Sequence, residues 1–196
     1  MTGIGVLYGK GEHLKTLLPS ISGGGAVQEV TLVDHTYQPI PDKFEPGTPN
    51  VVAAVSLDAA LRRIASLDGS SNETFRDQLA VGFDWLATRE KELIDFFSRR
   101  MHDISTKREI QLIGSLEESS RIGLFSFTLP STTQGEQALG RYLAQKNICI
   151  RVGAHCTHPL HTQLLADQSA RVSLWVYNDV EDVHLFFSVL EQFLCG

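Results

Sequence analysis

From residue 110 to residue 194, short apolar runs of strand character trade places with amphipathic stretches of helical period, and this exchange restricts the fold more than any other feature. Residues 110–113 and 122–129 read as strands, separated by the polar stretch 114–121. In the second strand Leu124, Ser126 and Thr128 alternate with Phe125, Phe127 and Leu129, which predicts a sheet with one buried face. Residues 133–146 follow as an amphipathic helix with Ala138, Leu139, Tyr142 and Leu143 inward. A strand over 148–152, a helical turn over 161–167, a strand over 170–177 and a helix over 180–194 complete the series. Val183, Phe186, Phe187, Leu190 and Phe193 form the core side of that last helix. Strands alternating with helices predict an α/β or α+β architecture.

The N-terminal part is less periodic. Residues 3–8 read as a buried strand between glycines, and its unpaired edges predict a poorly soluble or dimeric species. Residues 11–18 read as a short helix ended by Pro19, and 27–35 as extended. Gly23-Gly24-Gly25 allows two readings, a flexible turn or a close approach of backbone to a ligand. After the proline-punctuated loop 37–46, Thr48 is placed to cap a helix, with Pro49 at its first position. The helix runs over 51–67, with Val52, Val55, Leu57, Ala60, Leu61 and Ile64 as its buried face. Free N–H groups and the macrodipole make such a start either an anion site or an ordinary capped end. Asn72 is placed to cap a further helix over 73–97, with Phe75, Leu79, Phe83, Leu86, Leu93 and Ile94 near helical spacing and Arg89, Glu90, Lys91 and Glu92 solvated.

With 196 residues the chain has room for one large domain or two small ones. Its net charge of −6 argues against a nucleic-acid or anionic-membrane surface. No apolar run approaches the roughly 18 residues of a membrane span. The first residues carry no basic region and no cleavage pattern, so no signal peptide is expected. Three cysteines without framework spacing point to a reducing, cytoplasmic compartment.

Chemistry concentrates after the strand at 148–152. Gly153 ends the strand, and the loop Ala154-His155-Cys156-Thr157-His158 is closed by Pro159. Cys149, inside the strand, is expected to be buried and inert, and Cys195 incidental. Spacing alone leaves Cys156 open between a reactive thiol and an idle one. His155, Cys156, His158 and His161 suit zinc by donor type, but adjacent ligands in an extended loop point apart and no second pair has zinc-finger spacing, so no metal is expected. Arg151 and Arg171 are each able to clamp a carboxylate bidentately, or to form a surface salt bridge.

Five stretches in order carry a family resemblance: residues 2–8, Gly23-Gly24-Gly25, Phe44-Glu45-Pro46-Gly47-Thr48-Pro49-Asn50, Arg151-Val152-Gly153-Ala154-His155-Cys156, and Arg171-Val172-Ser173-Leu174-Trp175-Val176-Tyr177-Asn178. The chain resembles the class V aminotransferases, specifically cysteine desulfurases of the SufS-like branch. The resemblance implies the C-terminal part of a fold-type I pyridoxal-phosphate-dependent transferase, with 1–50 a remnant of the large cofactor domain and 51–196 a linking helix plus the small domain. It also implies that Cys156 takes sulfur from L-cysteine as a persulfide, with release of alanine, for iron–sulfur cluster assembly. Arg171 and Arg151 match substrate-binding arginines, and His155 a histidine beside the nucleophile. Thr48 matches a residue reaching the phosphate of pyridoxal 5'-phosphate across a homodimer interface, which favours the anion reading of its helix start. Ala154 and Lys43 depart from the family's usual histidine and arginine. The family's cofactor lysine lies in a Ser-x-His-Lys motif, and none of Lys10, Lys15, Lys43, Lys91, Lys107 and Lys146 follows a histidine. The implied expectation is a chain active only beside a missing N-terminal half, with a sulfur-acceptor protein as a further partner. A selenocysteine lyase, another class V enzyme, or a non-catalytic sulfur-accepting or partner-binding module are the alternatives.

Overall fold

The computed structural model describes residues 3–69, 74–115, 121–131 and 133–195. It divides into two compact units, Met1–Leu79 and Ala80–Gly196. No helix among the described residues is long and apolar enough to cross a membrane.

The first unit holds α1 (Gly11–Thr16), a hairpin of β1 (Val27–Val30) and β2 (His35–Tyr37), a 3-10 turn (Asp42–Phe44) and α2 (Val51–Ala65). The extended reading of 27–35 is broken by a turn in which Thr31 N–H donates to the Asp34 carbonyl at 2.8 Å. Residues 3–8 are not a strand: the segment lies outside any ladder, with Val6 80% and Tyr8 88% exposed. An apolar run becomes a strand only where a neighbouring strand pairs with it, and among the described residues its carbonyls meet only the Asn50 side chain, which donates to Gly3 at 3.3 Å. The unpaired strand edges expected there are therefore not formed. The glycine triplet serves a close approach of backbone to backbone: Gly47 N–H donates to the Gly24 carbonyl at 2.7 Å. Gly25 and Gly47 hold φ of 86° and 83°, a region glycine enters without steric cost.

The start of α2 also corrects the sequence reading. Its cap is Asn50, whose side chain accepts from Ala53 N–H at 3.1 Å, so Thr48 and Pro49 precede the helix. Its inward line is Ala53, Leu57, Leu61, Ile64 and Ala65; Val52, Val55 and Ala60, expected inside, are exposed. Lys43 is buried and donates to the Lys15 and Leu17 carbonyls at 3.1 and 2.8 Å, bringing a cation to the C-terminal end of α1.

The second unit is built on α3 (Phe75–Arg108), which begins in the first and runs 11 residues past the expected end at Phe97. Asn72 and Glu73 lie outside the described residues. Thr74 and Asp77 hydrogen-bond reciprocally at the helix start. The polar Ser98-Arg99-Arg100 conceals a continuing apolar stripe of Leu86, Leu93, Ile94, Phe97, Met101 and Ile104, all buried. Phe75 and Phe83, placed near that stripe by spacing, are 41% and 50% exposed.

After α3 come β3 (Gln111–Ile113), β4 (Leu124–Thr128), α4 (Glu136–Ala144), β5 (Arg151–Gly153), α5 (His158–Gln163), β6 (Ser169–Ser173) and α6 (Val180–Cys195). The four strands make one antiparallel sheet in the order β3-β4-β6-β5. This is an α+β arrangement. Phe125, Phe127, Ala170 and Val172 face the core as the alternation in β4 predicts. Phe97 stacks on Phe125 with ring centres 4.1 Å apart and meets Phe187 at 4.8 Å. Residues 148–150 stay out of the ladder, so Cys149, expected to be buried, is exposed. Cys195 is exposed too, and the Arg108 guanidinium reaches its sulfur at 2.8 Å.

Since Phe97 joins α3, β4 and α6, Phe97→Ala is expected to destabilise the second unit by about 3–5 kcal/mol, measured as a shift in urea unfolding of its core.

Candidate active site

The β5–β6 ladder places Arg151 directly opposite Arg171, and Ser126 of β4 opposite Arg171 on its other side. These three share the sheet face turned away from the Phe125 and Phe127 side, because side chains alternate along a strand. Like charges directly opposite one another destabilise a sheet. No carboxylate lies within salt-bridge distance of either arginine among the described residues, and the Arg171 Nε is buried without a hydrogen-bond partner. Two uncompensated guanidiniums on one row suit an anion of carboxylate size.

Gly153 ends β5 at φ 125°, where a side chain would be strained, and the chain then turns through His155 and Cys156 at φ 51° and 62°. Left-handed backbone at two successive non-glycine residues costs on the order of 1–3 kcal/mol each and persists only where surroundings enforce it. Thr157 supplies part of that enforcement, since both its N–H and its hydroxyl donate to the Ala154 carbonyl at 2.8 Å. Pro159 stands in the first turn of α5, where a missing N–H costs nothing. The Cys156 thiol is left exposed at the tip.

His155 leans back onto β6, its Nε2 3.1 Å from the Ser169 carbonyl. A carbonyl only accepts, so Nε2 carries the proton and Nδ1 holds a lone pair that is buried and unpartnered. Burial lowers the His155 pKa most, followed by the charge of Arg171; the Ser169 hydrogen bond opposes, and Arg151 and His161 lower it further. The ring is therefore neutral at pH 7.

Of the five site residues expected from sequence, the second unit gathers Cys156, His155, Arg151 and Arg171 on one strand pair and its turn. Thr48 lies in the first unit, exposed just before the Asn50 cap. Ser126, Ser169 and His161 were not anticipated as partners of this site. His161 stood out only as a zinc donor, and Ser169 carries no sequence signal. Among the described residues no group of three or more His, Cys, Asp or Glu side chains could hold a metal ion.

The family model "Aminotransferase class-V" matches residues 1–186. A probable cysteine desulfurase of Mycobacterium leprae is 32% identical over 195 residues, covering 100% of this chain and 28% of the relative. A cysteine desulfurase of Synechococcus elongatus is 32% identical with the same coverage, 100% and 28%. Among solved structures, the apo cysteine desulfurase of Thermococcus onnurineus superposes with a TM-score of 0.76 at 25% identity, over 94% of this chain and 41% of that one. The Escherichia coli cysteine desulfurase CsdA gives 0.75 at 27% identity, over 99% and 43%. The chain thus spans less than half the length of these relatives.

The neutral His155 yields a pH prediction. Because its folded pKa lies below the usual 6.5, the unfolded chain binds the extra proton first, and stability falls as pH drops through 6.5 toward the folded value. Histidine-resolved NMR is expected to show a His155 midpoint below 6.5, moving upward in Arg171→Gln.

Proposed function

The chain belongs to the aminotransferase class-V family, and from that membership we propose that it supplies the sulfur-accepting part of a pyridoxal-phosphate-dependent cysteine desulfurase. The observation that carries the reading is the Arg151–Arg171 pair, directly opposite one another on the strands that hold the Cys156 turn and, among the described residues, without a carboxylate in salt-bridge distance. The likeness to solved cysteine desulfurases over 94% and 99% of this chain supports the reading, and we assign the α+β second unit to the small domain of such an enzyme.

The residues of this chain fit the anionic ends of cofactor and substrate. The Thr48 hydroxyl is exposed just before the positive end of the 15-residue α2, where a phosphate finds both a donor and a favourable dipole. We assign it to the cofactor phosphate of a second copy, so that the working species is a homodimer. No lysine of the chain follows a histidine, and the buried Lys43 is committed to two backbone carbonyls. We assign the holding of the cofactor ring to residues outside this chain. Pyridoxal phosphate, when bound, supplies an electron sink for the substrate carbon.

Arg171 and Arg151 hold the L-cysteine carboxylate by charge-assisted hydrogen bonds. The Cys156 thiolate forms a new S–S bond with the substrate sulfur as the substrate C–S bond breaks. That bond pair stays with the carbon fragment, which gains a proton and leaves as alanine. Cys156 retains the sulfur as a persulfide for an acceptor protein of iron–sulfur cluster assembly. Neutral His155 stands next in the chain to Cys156, with its Nδ1 lone pair buried and outside hydrogen-bond reach of the thiol.

The test combines this chain with the cofactor-binding part of a desulfurase, L-cysteine and pyridoxal phosphate, and reads alanine release together with the Cys156 persulfide by mass spectrometry. Cys156→Ser is expected to abolish the persulfide, and Arg171→Ala to lower kcat/KM by about 10–100-fold, the loss of one or two charge-assisted hydrogen bonds. A persulfide that survives in Cys156→Ser overturns the assignment. The chain alone with pyridoxal phosphate is expected to release no alanine.

A further inference from the structure

Among the described residues of the second unit His161 and Ser169 are the most deeply buried polar pair, 3% and 1% exposed, and both bear on the Cys156 turn. Nδ1 of His161 lies 3.1 Å from the Thr157 carbonyl and 3.3 Å from its hydroxyl. The carbonyl cannot donate, so Nδ1 carries the proton and Nε2 accepts from the Ser169 hydroxyl at 3.0 Å. The opposite tautomer would set two acceptors against each other at Thr157.

Ser169 is engaged twice, its hydroxyl by His161 and its carbonyl by His155 at 3.1 Å. It is also the register partner of Gly153, the last residue of β5. The register pairing of Gly153 with Ser169, and the bonds from Ser169 through His161 to Thr157 and back to the Ala154 carbonyl, therefore close a ring around Cys156. Within the ring sit the two left-handed residues His155 and Cys156. These bonds oppose the backbone strain of the two left-handed residues.

We propose that His161 is a positioning residue for the Cys156 thiol: through Ser169 and Thr157 it locks the turn that presents the sulfur and holds His155 in the tautomer whose Nδ1 is free. The proposal rests on Cys156 being the sulfur acceptor, yet the clamp itself is observable without substrate or cofactor.

The experiment uses the full chain labelled with 15N. In the wild type, His161 is expected to show the Nδ1-protonated signature, His155 the Nε2-protonated one, and Cys156 the amide coupling of positive φ. In His161→Leu, which keeps an apolar filler, His155 is expected to populate both tautomers and the Thr157 amide to exchange about fivefold faster, the population factor of one lost hydrogen bond. His161→Asn, whose amide still reaches Thr157, should restore the slow exchange. Unchanged His155 tautomer and Thr157 exchange in His161→Leu overturn the proposal. Core amides of Phe97 and Phe127 report whether that variant stays folded. If it does not, Ser169→Ala and Ser169→Thr decide: faster Thr157 exchange in the first alone supports the clamp, and equal exchange in both overturns it. Loss of these signatures with the Cys156 persulfide intact removes only the clamp, whereas signatures present without a persulfide remove the sulfur-accepting role.

Discussion

The three-residue ladder between β5 and β6 is the constraint from which the candidate site follows. Its register sets Arg151 against Arg171 and Gly153 against Ser169, so one set of backbone hydrogen bonds fixes both the cationic pair and the base of the cysteine turn. A one-residue slip of β5 along β6 would exchange the faces of β5, turning the Arg151 guanidinium toward the phenylalanine core and Val152 outward. Burial of Phe125, Phe127, Ala170 and Val172 fixes β4 and β6 against the core, and the slip of β5 is disfavoured because it would turn a guanidinium into that apolar layer. The core thus holds in place an arrangement of like charges that the ladder alone would disfavour.

Much of the second unit was legible in the sequence, and for a physical reason. Period-2 alternation in Leu124–Thr128 and the 3.6-residue spacing in Val180–Cys195 arise directly from burial on one face, and burial is what the structure shows there. Readings failed where another constraint governed. The run at residues 3–8 has strand-like residues but no described partner to complete a ladder. Asn50 displaced Thr48 as the cap because its short amide reaches Ala53 N–H, a choice that the cluster of Thr48, Pro49 and Asn50 does not announce. The continuation of α3 past Phe97 was hidden by arginines whose stems lie along the helix surface; Arg100 covers the Phe187 ring at 5.4 Å.

The candidate site divides the same way. Cys156, His155 and Arg151 are close in sequence, so a strand ending at Gly153 sufficed to suggest them. Arg171 entered as an arginine at the start of the next strand, and the register turned two separate candidates into one facing pair. Ser169 and His161 stayed invisible because their role depends on tertiary placement. A serine at a strand start and a histidine in a short helix are ordinary until the fold brings them within 3.0 Å in a buried setting.

The two units also rest on different physics. Among the described hydrophobic residues of the first unit only Ala26, Ala53 and Ala65 are buried, while its order comes from polar ties such as Lys43 to the α1 carbonyls and Gly47 to Gly24. Among its described residues the second unit buries five phenylalanines, Phe97 of α3 with Phe125, Phe127, Phe186 and Phe187. Net hydrogen-bond contributions near 1 kcal/mol each are small beside a phenylalanine cluster, so local opening costs less in the first unit than in the second. The strained His155–Cys156 turn belongs to the unit able to sustain it. Left-handed backbone at two adjacent residues draws on a rigid surround, and the closest part of that surround, Ser169, lies beside Ala170 and Val172, whose side chains are anchored in the core. The exposed thiol is therefore carried on a turn whose partner strand, β6, is anchored in the packed core of the second unit.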